Sequence, residues 1–434
     1  MHERADRPVS FSDYWRLIRG NRNFRLLWQA QIVSEIGDWL YAAAVYSLLL
    51  QLTGSAKSLA LAFITQVLPQ CLTWPAAGVI NDRLSRRNVM VFADFARALI
   101  VITMVLVRAR DLIWFLYILL VMETVLWGLF EPARNAVVPN ITSGRDTLVA
   151  NTLASTTWSF NFAVGFSIGG ALTAAFGFGG VFVINSLSFI LSGLLIRRMQ
   201  FHEPHLEHHP PFQWRDLANF HPIAEGLRYV NQDARLLATM LVKGGLGTVG
   251  ANWVLLPVLG ERVFPLAFGG TDPRAAAMLG MSALMGARGI GALLGPLIST
   301  RIAGQTHSRQ RMGILIGFLL ASLGYFGLNP ARSIAEACLA IIIGHAGSSI
   351  VWVFSTTLLQ AQTEDRFRGR VFSAEFACMA VMMSLVSGLA GFLIDEGMHP
   401  QSVATWIGVI VLGPAFLWWR ALRLWRGHRD ASTI

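Results

Sequence analysis

Gln31, Glu35 and Asp38 stand at i, i+4 and i+7, on one face of a helix. They interrupt an apolar run, and at about 1.5 Å per residue Glu35 and Asp38 fall near the mid-depth of a bilayer. A charge there costs roughly 2.5–3.5 kcal/mol even on the lenient insertion scale, so each one needs a reason. Two acids one turn apart repel, and a proton taken up by one relieves the repulsion. Taking up and releasing a proton is what a proton carrier must do. Glu123, Trp127 and Glu131 form a second stripe. Glu123 falls at mid-depth; Glu131 falls near the inner end, within reach of the Arg83 loop, and reads as structural.

Basic groups interrupt apolar runs later in the chain: Lys243, Arg288 and His345. Gly286, Gly289 and Gly291 flank Arg288 and let a neighbouring helix approach. Acidic groups early and basic groups late predict ion pairs across a central cavity, which substrate or a proton would break to bias two states. The bland alternative is a static tie between halves, or helix packing for His345. Lys243 lies close enough to the inner interface to snorkel. Asp94 and Arg97, at i and i+3, are expected to neutralise each other. The coupling candidates are thus Glu35, Asp38, Glu123, Arg288 and His345. The cavity-lining candidates are Gln31, Gln70, Trp127, Asn161 and Lys243, with Trp158, Trp253 and Trp352 as further aromatic lining. For Gln70 and Asn161, packing glue is an equal reading.

About twelve apolar runs position these residues. They cover 26–50, 59–80, 89–107, 112–130, 150–175 and 181–196, then 236–259, 275–298, 312–328, 334–354, 371–394 and 403–424. Hydrocarbon offers backbone groups no partner, so each run must be a helix. The fold class is therefore all-α integral membrane, in two six-helix halves. Residues 1–25 read as a cytoplasmic lead-in, 26–196 as the first half and 197–235 as a cytoplasmic linker. Residues 236–424 read as the second half and 425–434 as a cytoplasmic tail. With both termini inside, inner segments carry about 26 of the 35 Lys and Arg and outer loops about 6. In the linker, Ile223, Leu227 and Val230 share a helical face, which suggests an amphipathic helix on the inner surface; a plain linker reads almost as well.

Composition agrees. Only 14% of the 434 residues are charged, against roughly 25% in soluble proteins, and 54% are hydrophobic. The net charge of +10 suits loops facing an anionic inner leaflet, with no nucleic-acid partner. Cys71, Cys338 and Cys378 form no disulfide framework or metal set. No P-loop, HExxH or GxSxG pattern is present, so no enzymatic activity is expected. His202, His205, His208 and His209 read as a solvated loop rather than a metal site. No cofactor or metal is expected, and a monomer is.

Gly78, Asp82, Arg83, Arg86 and Arg87 lie between the second and third runs. Their spacing resembles the GxxxDRxGRR loop of the major facilitator superfamily, with Ser85 where that family carries glycine. Phe130, Glu131 and Pro132, followed by Arg145 and Asn151, are weakly echoed about 224 residues on by Phe354, Ser355 and Thr356, then Gly369 and Glu375. Asn23, Phe24, Arg25 and Leu26, leading to Ser34, Glu35, Ile36, Gly37, Asp38 and Trp39, resemble the macrolide-efflux and enterobactin-exporter branch. So do the stretch from Phe130 to Ala136 and the stretch from Arg368 to Ser373. The chain departs from the antiporter pattern at Phe166, where proline would stand, and in carrying Glu123 rather than an embedded arginine in the fourth run.

The resemblance implies alternating access, proton antiport and a gate latch built from Gly78, Asp82, Arg83, Arg86, Arg87 and Glu131. It implies export of an amphipathic small molecule of drug, macrolide or siderophore type from the inner membrane of a bacterium. The partners would be that substrate, protons and membrane lipids. A lysophospholipid transporter or flippase of the same fold is a second reading. A non-transporting membrane sensor or scaffold is a third, though it would have no use for mid-depth charges.

Overall fold

The computed structural model describes residues 11–207, 228–231, 233–269, 271–303 and 306–431. Every regular element among them is helical, as a chain with this few polar side chains requires in lipid. The helices are α1 (Phe11–Gly20), α2 (Arg22–Thr53), α3 (Ala56–Arg83), α4 (Arg86–Thr103), α5 (Ile113–Ile141) and α6 (Arg145–Arg197). Then come α7 (Ala234–Leu246), α8 (Asn252–Arg262), α9 (Pro273–Ala303), α10 (His307–Leu328), α11 (Ile334–Gln362), α12 (Asp365–Asp395) and α13 (Pro400–Ala431). Ten helical stretches among the described residues are long and apolar enough to cross a membrane. α3 makes an eleventh if its arms, bent by 52° between Trp74 and Ala76, count as one span. Pro75 stands at that bend and has no N–H for the helical ladder.

α6 has 53 residues and is interrupted at Gly177, with φ 68° and ψ 174°. Without the break it would run about 80 Å, far beyond one hydrocarbon thickness. Glycine alone adopts that backbone cheaply. α7 and α8 are two arms of one span joined by a 3₁₀ stretch, Gly247–Ala251.

The chain divides into two compact units. The first holds the described residues of Met1–Val45 and Leu72–Asn219, the second those of Tyr46–Cys71 and Phe220–Ile434. Residues 46–71, which the sequence reading assigns to the half 26–196, thus group with the second unit. Their contacts explain it. The Asp395 carboxylate accepts from the backbone N–H of Ala56 at 2.8 Å and of Lys57 at 3.0 Å, and from the Ser55 hydroxyl. It caps α3, whose first N–H groups have no intrahelical partner.

In the first unit, Leu17, Phe24, Met90, Phe130, Val149 and Ile196 belong to one buried apolar cluster. In the second, α9, α10 and α11 pack through small residues. A Cβ at Gly291 would strike the Ile342 carbonyl, and one at Gly324 would strike Gly344. Such contact lets backbones approach where burial from water offers no drive.

The polar lead-in holds a helix, α1, that the sequence reading does not anticipate. Leu17 is buried in the first unit's core, and ion pairs Arg16–Asp146 (3.1 Å) and Arg145–Asp13 (3.2 Å) tie the helix to the start of α6. Phe11 and Trp15 are exposed, and Arg19 lies over the Trp15 ring at 4.5 Å. Ile223 and Leu227 of the suggested linker helix lie outside the described residues, as do His208 and His209. Val230 is described: it is buried with Leu236, Met240 and Leu359, and Tyr229 stacks on Phe367 at 4.2 Å. The last helix continues past the expected span end to Ala431.

Candidate functional site

In the first unit, three helices bring three carboxylates to one guanidinium. Arg97 of α4 is 2% exposed. Its Nε donates to Glu123 Oε1 of α5 at 2.7 Å, and its Nη2 donates to Asp38 Oδ2 of α2 at 3.0 Å. Asp94 Oδ1 is 4.0 Å from Nη1, and the Phe189 ring centre lies 4.0 Å from the guanidinium carbon. Small residues make the site possible. A Cβ at Gly37 would collide with Asn185 and Ser188 of α6, so this glycine lets α6 close over the cluster.

Arg97 is thus not merely neutralised by Asp94 on its own helix; it bridges Asp38 and Glu123, so both acids have a cation inside their own unit. An arginine fork matches two carboxylates at once, and in a dry interior that geometry offsets the desolvation of all three.

Glu35, one turn from Asp38, is held differently. Gln31 Nε2 donates to Oε1 at 2.9 Å and Asn161 Nδ2 donates to Oε2 at 3.0 Å. Gln31 also donates to the Ala154 carbonyl at 3.0 Å. Both of these donors to Glu35 are neutral amides. Beside it, Trp39 meets Phe162 (4.6 Å between ring centres) and Phe166 (5.5 Å), and Trp158 stacks on Phe162 at 5.8 Å. Phe166 is fully buried where the antiporter pattern has proline; its ring fills this aromatic wall. Trp127 lies 6.5 Å from Trp74.

In the second unit, Lys243 does not snorkel. Its Nζ pairs with Glu375 Oε2 of α12 at 2.9 Å, and both residues are buried. Glu375 is a functional candidate that the sequence reading missed; a lone acid in the 371–394 run was the available signal. Arg288 of α9 lies over Trp253 at 4.1 Å, Trp253 stacks on Phe63 at 5.5 Å, and Tyr46 meets Trp253 at 6.4 Å. His345 is buried 6.4 Å from the Tyr325 ring, and its Nε2 makes no hydrogen bond among the described residues. Gln70 donates to the Gln66 carbonyl one turn back at 2.6 Å.

The loop after α3 is an ordered turn. Ser85, in the family's glycine position, has φ −59° and caps α4 by accepting from the Asn88 N–H at 3.3 Å, so no glycine is needed. Arg86 donates to the carbonyls of Asn81 (3.2 Å) and Ala136 (3.1 Å) and pairs with Asp82 at 3.6 Å. Arg87 donates to the Met199 carbonyl at 3.0 Å. Glu131 is paired with Arg134 on its own helix. Gly78 mediates no close helix contact: a Cβ there would meet nothing within 4 Å. Among the described residues no three His, Cys, Asp or Glu side chains are grouped so as to hold a metal ion.

Solved structures share this fold. A point mutant of the nucleoside transporter NupG superposes with a TM-score of 0.70 at 12% identity, covering 91% of this chain and 99% of that one. A bacterial homologue of the human lysosomal transporter Spinster gives 0.68 at 14%, covering 96% and 98%. The uncharacterized MFS-type transporter YfiS of Bacillus subtilis (strain 168) is 27% identical over 398 residues, 91% of this chain and 89% of that protein. Macrolide efflux protein A of Streptococcus pyogenes is 27% identical over 397 residues, 88% of this chain and 90% of its own. Residues 18–422 match the family model for the transmembrane secretion effector. With nearly the whole chain inside that match, this protein belongs to the transmembrane secretion effector family of major facilitator transporters.

Proposed function

We propose that this protein exports an amphipathic small molecule across a bacterial inner membrane by proton antiport with alternating access. The observation that carries the reading is the buried cluster around Arg97. Fully ionised, Asp38, Asp94 and Glu123 bring three negative charges against one positive. Two bound protons make the cluster neutral. A buried ionic group adds little net stability compared with packed apolar side chains, so its presence in a span calls for another use. Proton exchange at Asp38 and Glu123 would loosen or tighten their grip on Arg97 and so shift α2, α4 and α5 between two arrangements. Glu35, with its neutral donors and the aromatic wall of Trp39 and Trp158, suits the cationic group of a cargo. The similarity to a macrolide efflux protein supports the direction.

Twelve spans fit this reading. α3 supplies the eleventh, and dividing α6 at Gly177 supplies the twelfth. The arginine distribution supports a reading with both termini in the cytoplasm.

The test is efflux of a fluorescent cationic amphipath from cells lacking their own pumps. Wild type should lower retention, and a protonophore should abolish the effect. Asp38→Asn should lose proton-driven export. Unchanged, protonophore-sensitive efflux in that variant would remove Asp38 from the coupling.

A further inference from the structure

The ion pair of Lys243 and Glu375 lies in the second unit and takes no part in the cycle above. Nζ and Oε2 are 2.9 Å apart, with side chains 7% and 1% exposed. Glu375 Oε1 is also buried and accepts no hydrogen bond among the described residues. The ammonium lies 4.4 Å from the Trp352 ring centre and 5.6 Å from that of Phe372. Lys243 is the eighth residue of the run that starts at 236 and Glu375 the fifth of the run that starts at 371, so they sit roughly 10 Å and 6 Å along their apolar stretches.

Apolar side chains of matching volume would hold these helices together as well or better. What the pair offers instead is a cation whose partners can be exchanged. One face of the ammonium is held by a single carboxylate oxygen. Another is covered by the ring of Trp352, a residue that is 43% exposed. An indole in that position presents an apolar platform with a positive charge directly behind it.

We propose that Lys243 binds the anionic group (carboxylate, sulfonate or phosphate) of an amphipathic cargo, with Glu375 as the internal anion it displaces and Trp352 as the platform for the cargo's apolar body. The proposal rests on the efflux reading and deepens it by adding an anionic cargo class to the cationic one suited to Glu35. The exchange conserves charge. Lysine stays +1, the cargo supplies −1, and the displaced Glu375 takes up one proton from water.

Matched probes test this: dansylglycine, which is anionic, and dansylcadaverine, which carries the same fluorophore on a cation. Equilibrium binding is measured on the full-length protein in phosphatidylcholine nanodiscs. Glu375→Gln removes the competing anion and should tighten dansylglycine binding by about fivefold or more, leaving dansylcadaverine within about twofold. Lys243→Met should weaken dansylglycine by a similar factor. Should Lys243→Met fail to fold, the double variant Lys243→Met/Glu375→Leu replaces the whole pair by apolar groups and should keep dansylcadaverine binding while losing dansylglycine. No gain for dansylglycine in Glu375→Gln, or equal changes for both probes, overturns the proposal. Loss of dansylglycine binding on adding phosphatidylglycerol would overturn the assignment to cargo in favour of a lipid. Failure of wild-type proteoliposomes to move either probe, with binding intact, would count against efflux and leave the anion site standing.

Discussion

Arg97 Nη2 donates to Asp38 Oδ2 at 3.0 Å while the same side chain's Nε holds Glu123, so one guanidinium ties α4 to both α2 and α5. A lysine carries the same charge but no rigid fork. Arg97→Lys should therefore keep the fold and lose one bridge, with export down by about tenfold. Arg97→Met strands two buried carboxylates, at a cost of about 3–5 kcal/mol. Its yield of monodisperse protein in detergent should collapse. A Met variant as stable as wild type would show that the acids do not depend on Arg97.

Glu35 is held by two neutral amides, so Glu35→Gln keeps the shape and most of the bonding. Thermal stability in detergent should change by less than about 1 kcal/mol. Binding of a cationic amphipath should weaken about tenfold, and that of a neutral analogue should not. Equal losses for both would point to packing rather than charge.

The Asp395 carboxylate takes two backbone N–H groups at the start of α3. Asp395→Ala should cost about 1–2 kcal/mol, read as a lower unfolding temperature. Asp395→Asn should recover part of it. The neighbouring exposed pair Lys57–Glu396, at 2.9 Å, should contribute at most about 1 kcal/mol, so Lys57→Ala serves as the contrasting control.

At Gly291 the α9 backbone lies against α11, leaving no room for a side chain. Gly291→Leu should force the two helices apart and abolish well-folded protein on size-exclusion chromatography. Gly78→Leu, at a position with open space around it, should leave the elution profile unchanged.

The spans are legible in the sequence because hydrocarbon imposes one pattern on all of them. The break between the fifth and sixth runs is legible too: the gap at 176–180 contains Gly177, where α6 is interrupted. Partners across helices are not legible. The i, i+3 rule points Arg97 at Asp94, the only partner visible along its own helix. Its nearer ligands lie 59 and 26 residues away. Lys243 and Glu375 are separated by 132 residues, and no periodicity tells which faces of α7 and α12 meet. α1 escapes notice because Tyr14, Leu17 and Ile18 make a face too short to register as a span. The grouping of residues 46–71 with the second unit rests on partners such as Trp253 and Asp395, which lie roughly 200 and 340 residues further along the chain.

The 3₁₀ stretch Gly247–Ala251 gives its span a choice of thread pitch. Five residues rewound from three to 3.6 per turn would draw the two arms together by about 2.5 Å and twist one against the other by about 100°. Each N–H in the stretch would pass from the carbonyl three residues back to the one four back. Ser387 donates to the Gly250 carbonyl at 3.0 Å and Tyr325 to that of Val249 at 3.3 Å, and both bonds hold the tighter pitch seen here. α7, which bears Lys243, would turn with the screw, and its ammonium would swing away from Glu375.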